Sequence, residues 1–263
     1  NRIEVSILDK NYIMRYTFVF LLVLTFSNVF SQNRYDVEKT TFNRSDSNEI
    51  VNLRFDMKPL NGVIFCESGD IGQYIDGKPD GKHKKWYDNG NLKYEGAFKS
   101  GLQQGKWIYY HSNGQIEAVG NYVNGNRTQL GNTGIPRNGR SDAWNFYYNN
   151  SQLKIEMNYR DDMKDGLWRG WYENGQLWSE YNYRDGMKDS LWRGWYENGQ
   201  LRIEYNYKDG MKEGLNREWY ENGQLKIELN YIDGWKDGLW REWYENSQLK
   251  IEMNYRDDMK DGL

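Results

Sequence analysis

Apolar and polar residues alternate along most of the chain beyond residue 60, and glycine-containing turns interrupt the alternation at regular intervals. In the seven-residue segment 225–231, leucine, isoleucine, leucine and tyrosine alternate with lysine, glutamate and asparagine. Strict alternation of this kind predicts a β-strand with two different faces. Asn-Gly and Asp-Gly steps recur too often to leave room for a helix of about three turns. The pattern therefore predicts an all-β protein.

The alternation belongs to a 24-residue unit whose centre reads Trp-Tyr-Glu-Asn-Gly-Gln-Leu at residues 171–177, 195–201 and 219–225. Variants of this heptapeptide raise the number of copies to seven and occupy residues 86–92, 110–116, 147–153 and 243–249. The second and third copies are 37 residues apart, which is one unit plus 13 inserted residues. Such a period indicates an array in which each unit packs only against its neighbours.

The Asn-Gly step in each centre predicts a β-hairpin with a type I′ turn, in which both residues have positive φ. The expected turn residues are Asn174, Gly175, Asn198, Gly199, Asn222 and Gly223. This turn sets the register as Glu221–Gln224, Tyr220–Leu225, Trp219–Lys226, Glu218–Ile227 and Arg217–Glu228. The same offset pairs opposite charges in other copies, as Arg169–Glu180, Arg193–Glu204 and Arg241–Glu252. Cross-strand pairs of opposite charge support this register.

Composition argues against several functions. Lys and Arg number 35 against 38 Asp and Glu, and the two signs alternate within each unit, which is unlike a nucleic-acid-binding surface. Aromatic residues make up 16%, so rings must supply most of the core. The single Cys66 and the two histidines, His83 and His111, do not have the spacing of a metal site. Both histidines stand where other copies carry an aromatic ring. No catalytic motif is present, and we expect no enzyme activity, metal or cofactor.

The N-terminal part predicts a different organisation. Residues 14–31 combine a basic start, an apolar stretch and a small residue at Ser31, as in a secretory signal peptide cleaved near Ser31. A membrane anchor is the alternative, but the apolar run is about half of the ~20 residues that span a bilayer. We interpret residues 1–13 as upstream read-through, 32–60 as a polar leader or capping segment, and 61–125 as degenerate repeats. Residues 126–139 then form an inserted loop, and 140–263 the near-identical repeats.

The repeat resembles a known family. Gly-x-x-x-Gly-x-Trp, kept in full at 101–107, precedes Trp/Tyr-Tyr-x-Asn-Gly-x-Leu and an alternating strand. This pattern is similar to the bacterial variant of the MORN repeat, and many such chains are labelled YwqK-type antitoxins. The resemblance covers residues 77–263, although Asp162, Ser190 and Asn216 depart from it. It implies an elongated single-layer β-hairpin array, a MORN-like β-solenoid or meander of about seven repeats, with a non-catalytic role in protein or membrane contact.

Two features are candidate sites. Trp171, Trp195, Trp219 and Trp243 recur at the same position and form a candidate binding face for sugar rings or quaternary ammonium groups. The alternative, which we favour, is that these rings are the core of a thin sheet. The acidic turns 160–165 and 256–261 carry carboxylates that resemble calcium ligands, but each contains two cations and lacks the EF-hand spacing. We expect them to be solvated turns.

We therefore expect an exported protein, located in the periplasm, on the outer surface or secreted. It would bind another protein through an extended aromatic sheet face, with a membrane surface as a further possible partner and nucleic acid excluded. An antitoxin role is the first alternative, although an exported chain is poorly placed to neutralise a cytosolic toxin. A module that binds cell-wall glycan or choline is the second. The sequence leaves the oligomeric state and the identity of the partner open.

Overall fold

The computed structural model describes residues 33–45, 48–53, 58–126 and 134–261, so the predicted read-through and signal peptide lie outside the described residues. The chain divides into two compact units, 1–78 and 79–263. Among the described residues, no helix is long and apolar enough to cross a membrane.

The first unit contains five short strands and a 3-10 turn at Val37–Lys39. The strands are β1 (Arg34–Asp36), β2 (Thr40–Ser45), β3 (Asn48–Leu53), β4 (Gly62–Cys66) and β5 (Gly69–Ile75). Strand β4 pairs in parallel with β1 and antiparallel with β5, while β2 and β3 form a separate hairpin. Leu60, Ile64 and Tyr74 are buried at the centre of this unit. The polar segment 32–60 therefore contributes three of the strands.

The second unit is an open antiparallel meander in which strands that follow one another in the sequence are neighbours in the sheet. Its strands are β6 (Lys78–Trp86), β7 (Leu92–Lys99), β8 (Leu102–Tyr110), β9 (Ile116–Gly125), β10 (Arg140–Tyr147), β11 (Leu153–Arg160), β12 (Met163–Trp171), β13 (Leu177–Arg184), β14 (Met187–Trp195), β15 (Leu201–Lys208), β16 (Met211–Lys212), β17 (Gly214–Trp219), β18 (Leu225–Ile232), β19 (Trp235–Trp243), β20 (Leu249–Arg256) and β21 (Met259–Asp261). Both β16 and β17 pair with β15. The predicted all-β array of seven hairpin repeats is confirmed.

The predicted type I′ turn at the Asn-Gly step is wrong. In the turn 220–224, the Gly223 N–H donates to the Tyr220 carbonyl and the Tyr220 N–H donates to the Gln224 carbonyl. Only the glycine has positive φ, at 83°, so this is a three-residue loop with one left-handed residue. The Asn222 side chain accepts a 2.9 Å hydrogen bond from the Gln224 N–H, which favours this longer loop.

The longer loop changes the register next to the turn. Trp219 pairs with Leu225 and not with Lys226, and a bulge separates this pair from the next. The predicted pairs Tyr220–Leu225 and Glu221–Gln224 are replaced by the loop itself. Beyond the bulge, the predicted pairing of Arg217 with Glu228 is confirmed. The corresponding pairs in other copies, Arg169–Glu180, Arg193–Glu204 and Arg241–Glu252, are confirmed as well.

Type I′ geometry occurs instead in the acidic turns between repeats. Arg184 pairs directly with Met187 across a two-residue loop, and both loop residues, Asp185 and Gly186, have positive φ. Asp162 takes the place of this glycine in one turn and keeps a φ of 67°. L-residues with a side chain adopt this conformation at a cost that glycine avoids.

The rings of the first repeats form the best-buried core. Phe98, Trp107, Tyr109, Ala118, Tyr122, Ile135 and Trp144 make up this cluster. Trp144 lies flat against Gly120, where an added Cβ would be 2.0 Å from the ring. Ile135 comes from the insertion 126–139, and it is only 2% exposed. The described end of this insertion is thus part of the core and covers the rings.

Replacing Asp162 with glycine is expected to raise the free energy of unfolding by about 0.5–1 kcal/mol, because the left-handed strain disappears. Urea denaturation followed by circular dichroism measures the change. Asp258→Gly is the matched control: Asp258 has a φ of 63° but also accepts a 2.9 Å hydrogen bond from the Lys236 N–H. The control should therefore gain less, and equal gains in both variants would contradict the explanation.

Ile135→Ala is expected to lower the free energy of unfolding by about 2–4 kcal/mol, because it leaves a cavity beneath a buried segment. Ile232, which is 48% exposed, is the control position. Its alanine variant should stay within about 0.5 kcal/mol of the parent chain. A similar loss at both positions in chemical denaturation would show that the insertion is not part of the core.

Candidate binding faces of the repeat array

One face of the sheet carries a continuous row of alternating charges, which we call the ladder face. Its residues pair in order across β11 to β20 as Glu156, Arg169, Glu180, Arg193, Glu204, Arg217, Glu228, Arg241 and Glu252. The closest ion pairs join Nε and Oε2 atoms at 2.7–3.0 Å in the four hairpins that contain both residues. Since these side chains are partly exposed, each pair contributes only about 0.2–1 kcal/mol. Their main effect is a surface whose charges are already matched.

The candidate residues Trp171, Trp195, Trp219 and Trp243 lie on the ladder face. Each tryptophan follows its ladder arginine by two residues, and residues two apart in a strand share a face. All four rings are half-buried. Each lies opposite a leucine, as Trp171 does with Leu177. Leu215 and Leu239 are more exposed on the same face, at 38% each.

The tyrosine that follows Trp171, Trp195 and Trp219 joins one repeat to the next. The Tyr172 hydroxyl donates to the main-chain carbonyl of Trp195, one repeat later, at 3.0 Å. The same bond, which we call the tyrosine lock, joins Tyr87 to Tyr110, Tyr148 to Trp171, Tyr196 to Trp219 and Tyr220 to Trp243 at 2.7–2.9 Å. His111 occupies the tyrosine position of its copy, and its Nε2 lies 3.1 Å from the Tyr147 carbonyl oxygen. A ring at this position is therefore required for a contact between repeats.

The turn asparagines make a second link between repeats. The Asn198 side chain donates to the Glu221 carbonyl at 3.1 Å, and Asn222 donates to the Glu245 carbonyl at 3.2 Å. The Asn174 amide instead lies 3.4 Å from a carboxylate oxygen of Glu197. Glycines 175, 199 and 223 supply the left-handed residue of each loop, with φ of 82–85°. The turn residues thus stabilise both their own hairpin and the next one.

The opposite face, which we call the aromatic face, carries most of the ring contacts. Trp168 stacks on its cross-strand neighbour Tyr181 with ring centroids 4.3 Å apart. Tyr181 in turn meets the edge of Trp192, which meets the edge of Tyr205. Where Asn216 replaces the tryptophan, its buried amide bonds to the Asn206 N–H and the Gly214 carbonyl. His83 fills the same position in the first repeat, edge-on to Phe98. Copies therefore differ in packing while keeping the backbone.

A row of lysines crosses the aromatic face. Lys188 lies 3.9 Å from the Trp192 ring centroid and 5.1 Å from that of Tyr207. Lys164 and Lys212 reach the tyrosines Tyr183 and Tyr231 in the same way, at 4.8 and 4.9 Å. Burial lowers the pKa of Lys188, and repulsion from the lysines on either side lowers it further. Cation–π contacts with the rings thus keep a row of positive charges on the aromatic face. On the ladder face, by contrast, positive and negative charges alternate.

The acidic turns lie at the edge of the array, and arginines contact three of their carboxylates. Asp165 and Asp185 both contact the Arg160 guanidinium, at 2.9 and 3.1 Å. Asp189 makes the equivalent contact with Arg184 at 2.8 Å. Within the described ranges, no group of three or more His, Cys, Asp or Glu side chains has the arrangement of a metal site.

These contacts define the class of protein as a single-layer β-hairpin repeat array whose two faces differ in chemistry. The family model described as the MORN repeat variant matches the chain at residues 79–100, 103–124, 143–161, 164–185, 188–209, 212–233 and 236–257. Together these segments cover more than half of the chain, and the protein belongs to this family. Repeats of this family commonly bind proteins or membranes and are non-catalytic. No curated protein matches the chain.

The tyrosine lock and the role of Arg140 were not predicted from the sequence. The constant Tyr in the repeat centre was a signal for the first, because a ring kept beside a turn often has a partner for its hydroxyl. Arg140 is buried and lies 4.5 Å from the Trp144 ring centroid. Arg140 precedes Trp144 by four residues, as Lys164 precedes Trp168 and Lys188 precedes Trp192. This shared spacing is the sequence signal for its role.

Alkaline pH is expected to destabilise the array because its tyrosines are buried. Burial, followed by a hydrogen bond to the Glu95 carboxylate, raises the pKa of Tyr110 to about 12. Burial also raises the pKa of Tyr122, Tyr181 and Tyr205. Unfolded tyrosines ionise near pH 10, so the stabilisation is complete below about pH 10 and is lost as the pH rises further.

The measurement is the urea midpoint as a function of pH, with tyrosinate absorbance recorded in parallel. The lowered pKa values of Lys188 and Lys212 have the opposite effect on stability. These lysines bind protons more tightly in the unfolded chain, so their contribution becomes more favourable to folding as the pH rises toward about 10.5. Stability should therefore fall only above about pH 10, and Tyr110→Phe should make that fall shallower. A midpoint unchanged to about pH 12 would refute the assignment.

Proposed function

We propose that this chain is an exported, non-catalytic repeat protein that binds a partner protein through the ladder face of residues 143–257. The observation that carries the proposal is the ladder itself. Its nine charged residues alternate in sign across neighbouring strands, which leaves a repetitive surface with little net charge. The half-buried rings of Trp171, Trp195, Trp219 and Trp243 and the exposed Leu215 and Leu239 flank it.

The chemistry of this face favours a protein over other partners. Anionic lipid headgroups attract clustered lysine and arginine, whereas each ladder arginine lies between glutamates. Aromatic and leucine side chains beside matched polar groups are typical of protein interfaces. A sugar-binding platform needs open ring faces, and the four tryptophans are half-buried. Glycan binding is therefore the weaker alternative.

Export rests on the predicted signal peptide at 14–31. It favours a partner in the cell envelope or outside the cell, and it argues against neutralisation of a cytosolic toxin. Cell fractionation of the full-length protein tests this part of the proposal. Recovery of the mature chain, cleaved near Ser31, from the periplasm or medium would support export. Recovery from the cytosol would restore the YwqK-type antitoxin alternative.

Capture of a partner tests the binding face. A protein captured by the tagged full chain should rebind the purified chain, and Leu215→Asp with Leu239→Asp should weaken that binding at least about tenfold, because both leucines would contact the partner. Trp219→Ala should weaken binding to a similar extent. Gln176→Asp with Gln200→Asp, on exposed turns, adds the same charge away from the face and serves as the control. Retention on peptidoglycan without any captured protein would favour the glycan-binding alternative.

A further inference from the structure

The insertion shows how the aromatic face holds a short segment of chain. Residues Ile135 and Pro136 are buried in the first repeats. The Pro136 carbonyl accepts two hydrogen bonds, from the Tyr122 hydroxyl at 2.7 Å and from Arg140 Nε at 3.0 Å. Tyr122 and Arg140 face each other across β9 and β10, and Arg140 also lies against the Trp144 ring. A tyrosine and a cation thus form a donor pair for one main-chain carbonyl.

The same donor pair recurs in every later repeat. Tyrosine and lysine occupy the corresponding cross-strand positions as Tyr159–Lys164, Tyr183–Lys188, Tyr207–Lys212, Tyr231–Lys236 and Tyr255–Lys260. The equivalence extends to the neighbouring rings. Arg140 lies 4.5 Å from Trp144 and 5.6 Å from Tyr159, and Lys188 lies 3.9 Å from Trp192 and 5.1 Å from Tyr207.

The later donor pairs have no carbonyl to hold among the residues that the structure describes. Within those ranges, the hydroxyls of Tyr207, Tyr231 and Tyr255 form no hydrogen bond, and their rings are half-exposed. Trp144 is fully buried beneath the insertion, whereas Trp192 and Trp240 keep part of their surface exposed. The first repeats are covered by their own chain. In the later repeats the Tyr159 hydroxyl donates to the Met157 sulfur and the Tyr183 hydroxyl accepts from Lys164, whereas Tyr207, Tyr231 and Tyr255 keep their hydroxyls available as donors.

The spacing of the donor pairs matches a particular backbone conformation. Consecutive pairs are two strands apart, which is about 9.4–9.8 Å at the usual strand separation. A polyproline II helix advances about 3.1 Å per residue and therefore about 9.3 Å per three-residue turn. Its carbonyls make no internal hydrogen bonds, so one carbonyl per turn is available to each successive donor pair. Proline rings and aromatic rings also pack well against each other in such complexes.

We propose that the aromatic face of residues 159–255 binds a proline-rich polyproline II segment of a partner protein. The segment runs across the strands, and every third residue places its carbonyl between a tyrosine hydroxyl and a lysine. The apolar residues between these carbonyls pack on Trp192 and Trp240, whose rings are partly exposed. The row of lysines favours acidic residues flanking the prolines, because an added anion stabilises partly buried ammonium groups that have like-charged neighbours. This site lies on the face opposite the ladder and does not depend on the function proposed above.

A synthetic peptide tests the proposal directly on the full chain. Four Gly-Ile-Pro units, which repeat the sequence of residues 134–136 and are flanked by glutamate, are titrated while tryptophan fluorescence and calorimetry are recorded. We expect saturable binding of one peptide per chain with a dissociation constant below about 1 mM. A Gly-Ile-Ala peptide of equal length should bind more weakly, because it is not preorganised as polyproline II.

Substitutions in the protein distinguish binding by the donor pairs from nonspecific binding. Tyr207→Phe with Tyr231→Phe keeps the rings but removes two hydroxyl donors, and it should weaken binding of the proline peptide about three- to tenfold or more. Tyr244→Phe is the matched control, since Tyr244 is 51% exposed on a turn away from the donor pairs. Circular dichroism checks that each variant is folded.

Three results would overturn the proposal: no saturation at millimolar peptide, equal binding of the alanine peptide, or equal weakening by Tyr244→Phe. Self-association of the full chain that depends on Ile135 would also overturn it. The donor pairs would then hold the 134–136 segment of a second copy and not a partner's segment. The titration needs no cellular partner, so its outcome is separate from capture through the ladder face.

Discussion

The contact between each repeat and the next is the constraint on which this structure depends. A single-layer sheet has no interior, so a hairpin can bury its rings only against the hairpins on either side. The tyrosine lock makes this explicit, since the hydroxyl of one repeat satisfies a carbonyl in the following repeat. The lysines of the aromatic face act in the same direction, because Lys188 and Lys212 each lie over a tyrosine of the preceding repeat, Tyr181 and Tyr205.

The same constraint gives the array two chemically distinct surfaces. On the ladder face, register places arginine opposite glutamate on both sides, so that the charges are matched within the protein. On the aromatic face, rings and lysines alternate, and burial together with the neighbouring lysines lowers the pKa of Lys188. One surface is therefore nearly neutral and regular, while the other combines cations with apolar area.

The first repeats differ from the later ones in how the rings are covered. Glycines at 96 and 120 let Trp107 and Trp144 lie flat on the sheet, and the insertion then closes over them. In a later repeat a tyrosine takes the place of this glycine, and Trp192 meets the edge of Tyr181. The Trp192 ring stays partly exposed. The difference arises from single residues within a common register.

The sequence by itself determined the class of fold, the number of repeats and the register of the charged pairs. These features follow from a period of two within strands and a period of 24 between hairpins, both of which are local patterns. Only the tertiary structure decided the turn type, because a loop of two or three residues is selected by hydrogen bonds such as that from Gln224 to Asn222. The tertiary structure alone also decided the contacts of the tyrosine locks, of Arg140 and of the described end of the insertion. These contacts join a side chain to a carbonyl elsewhere in the chain, and a carbonyl has no signature in the residue type that carries it.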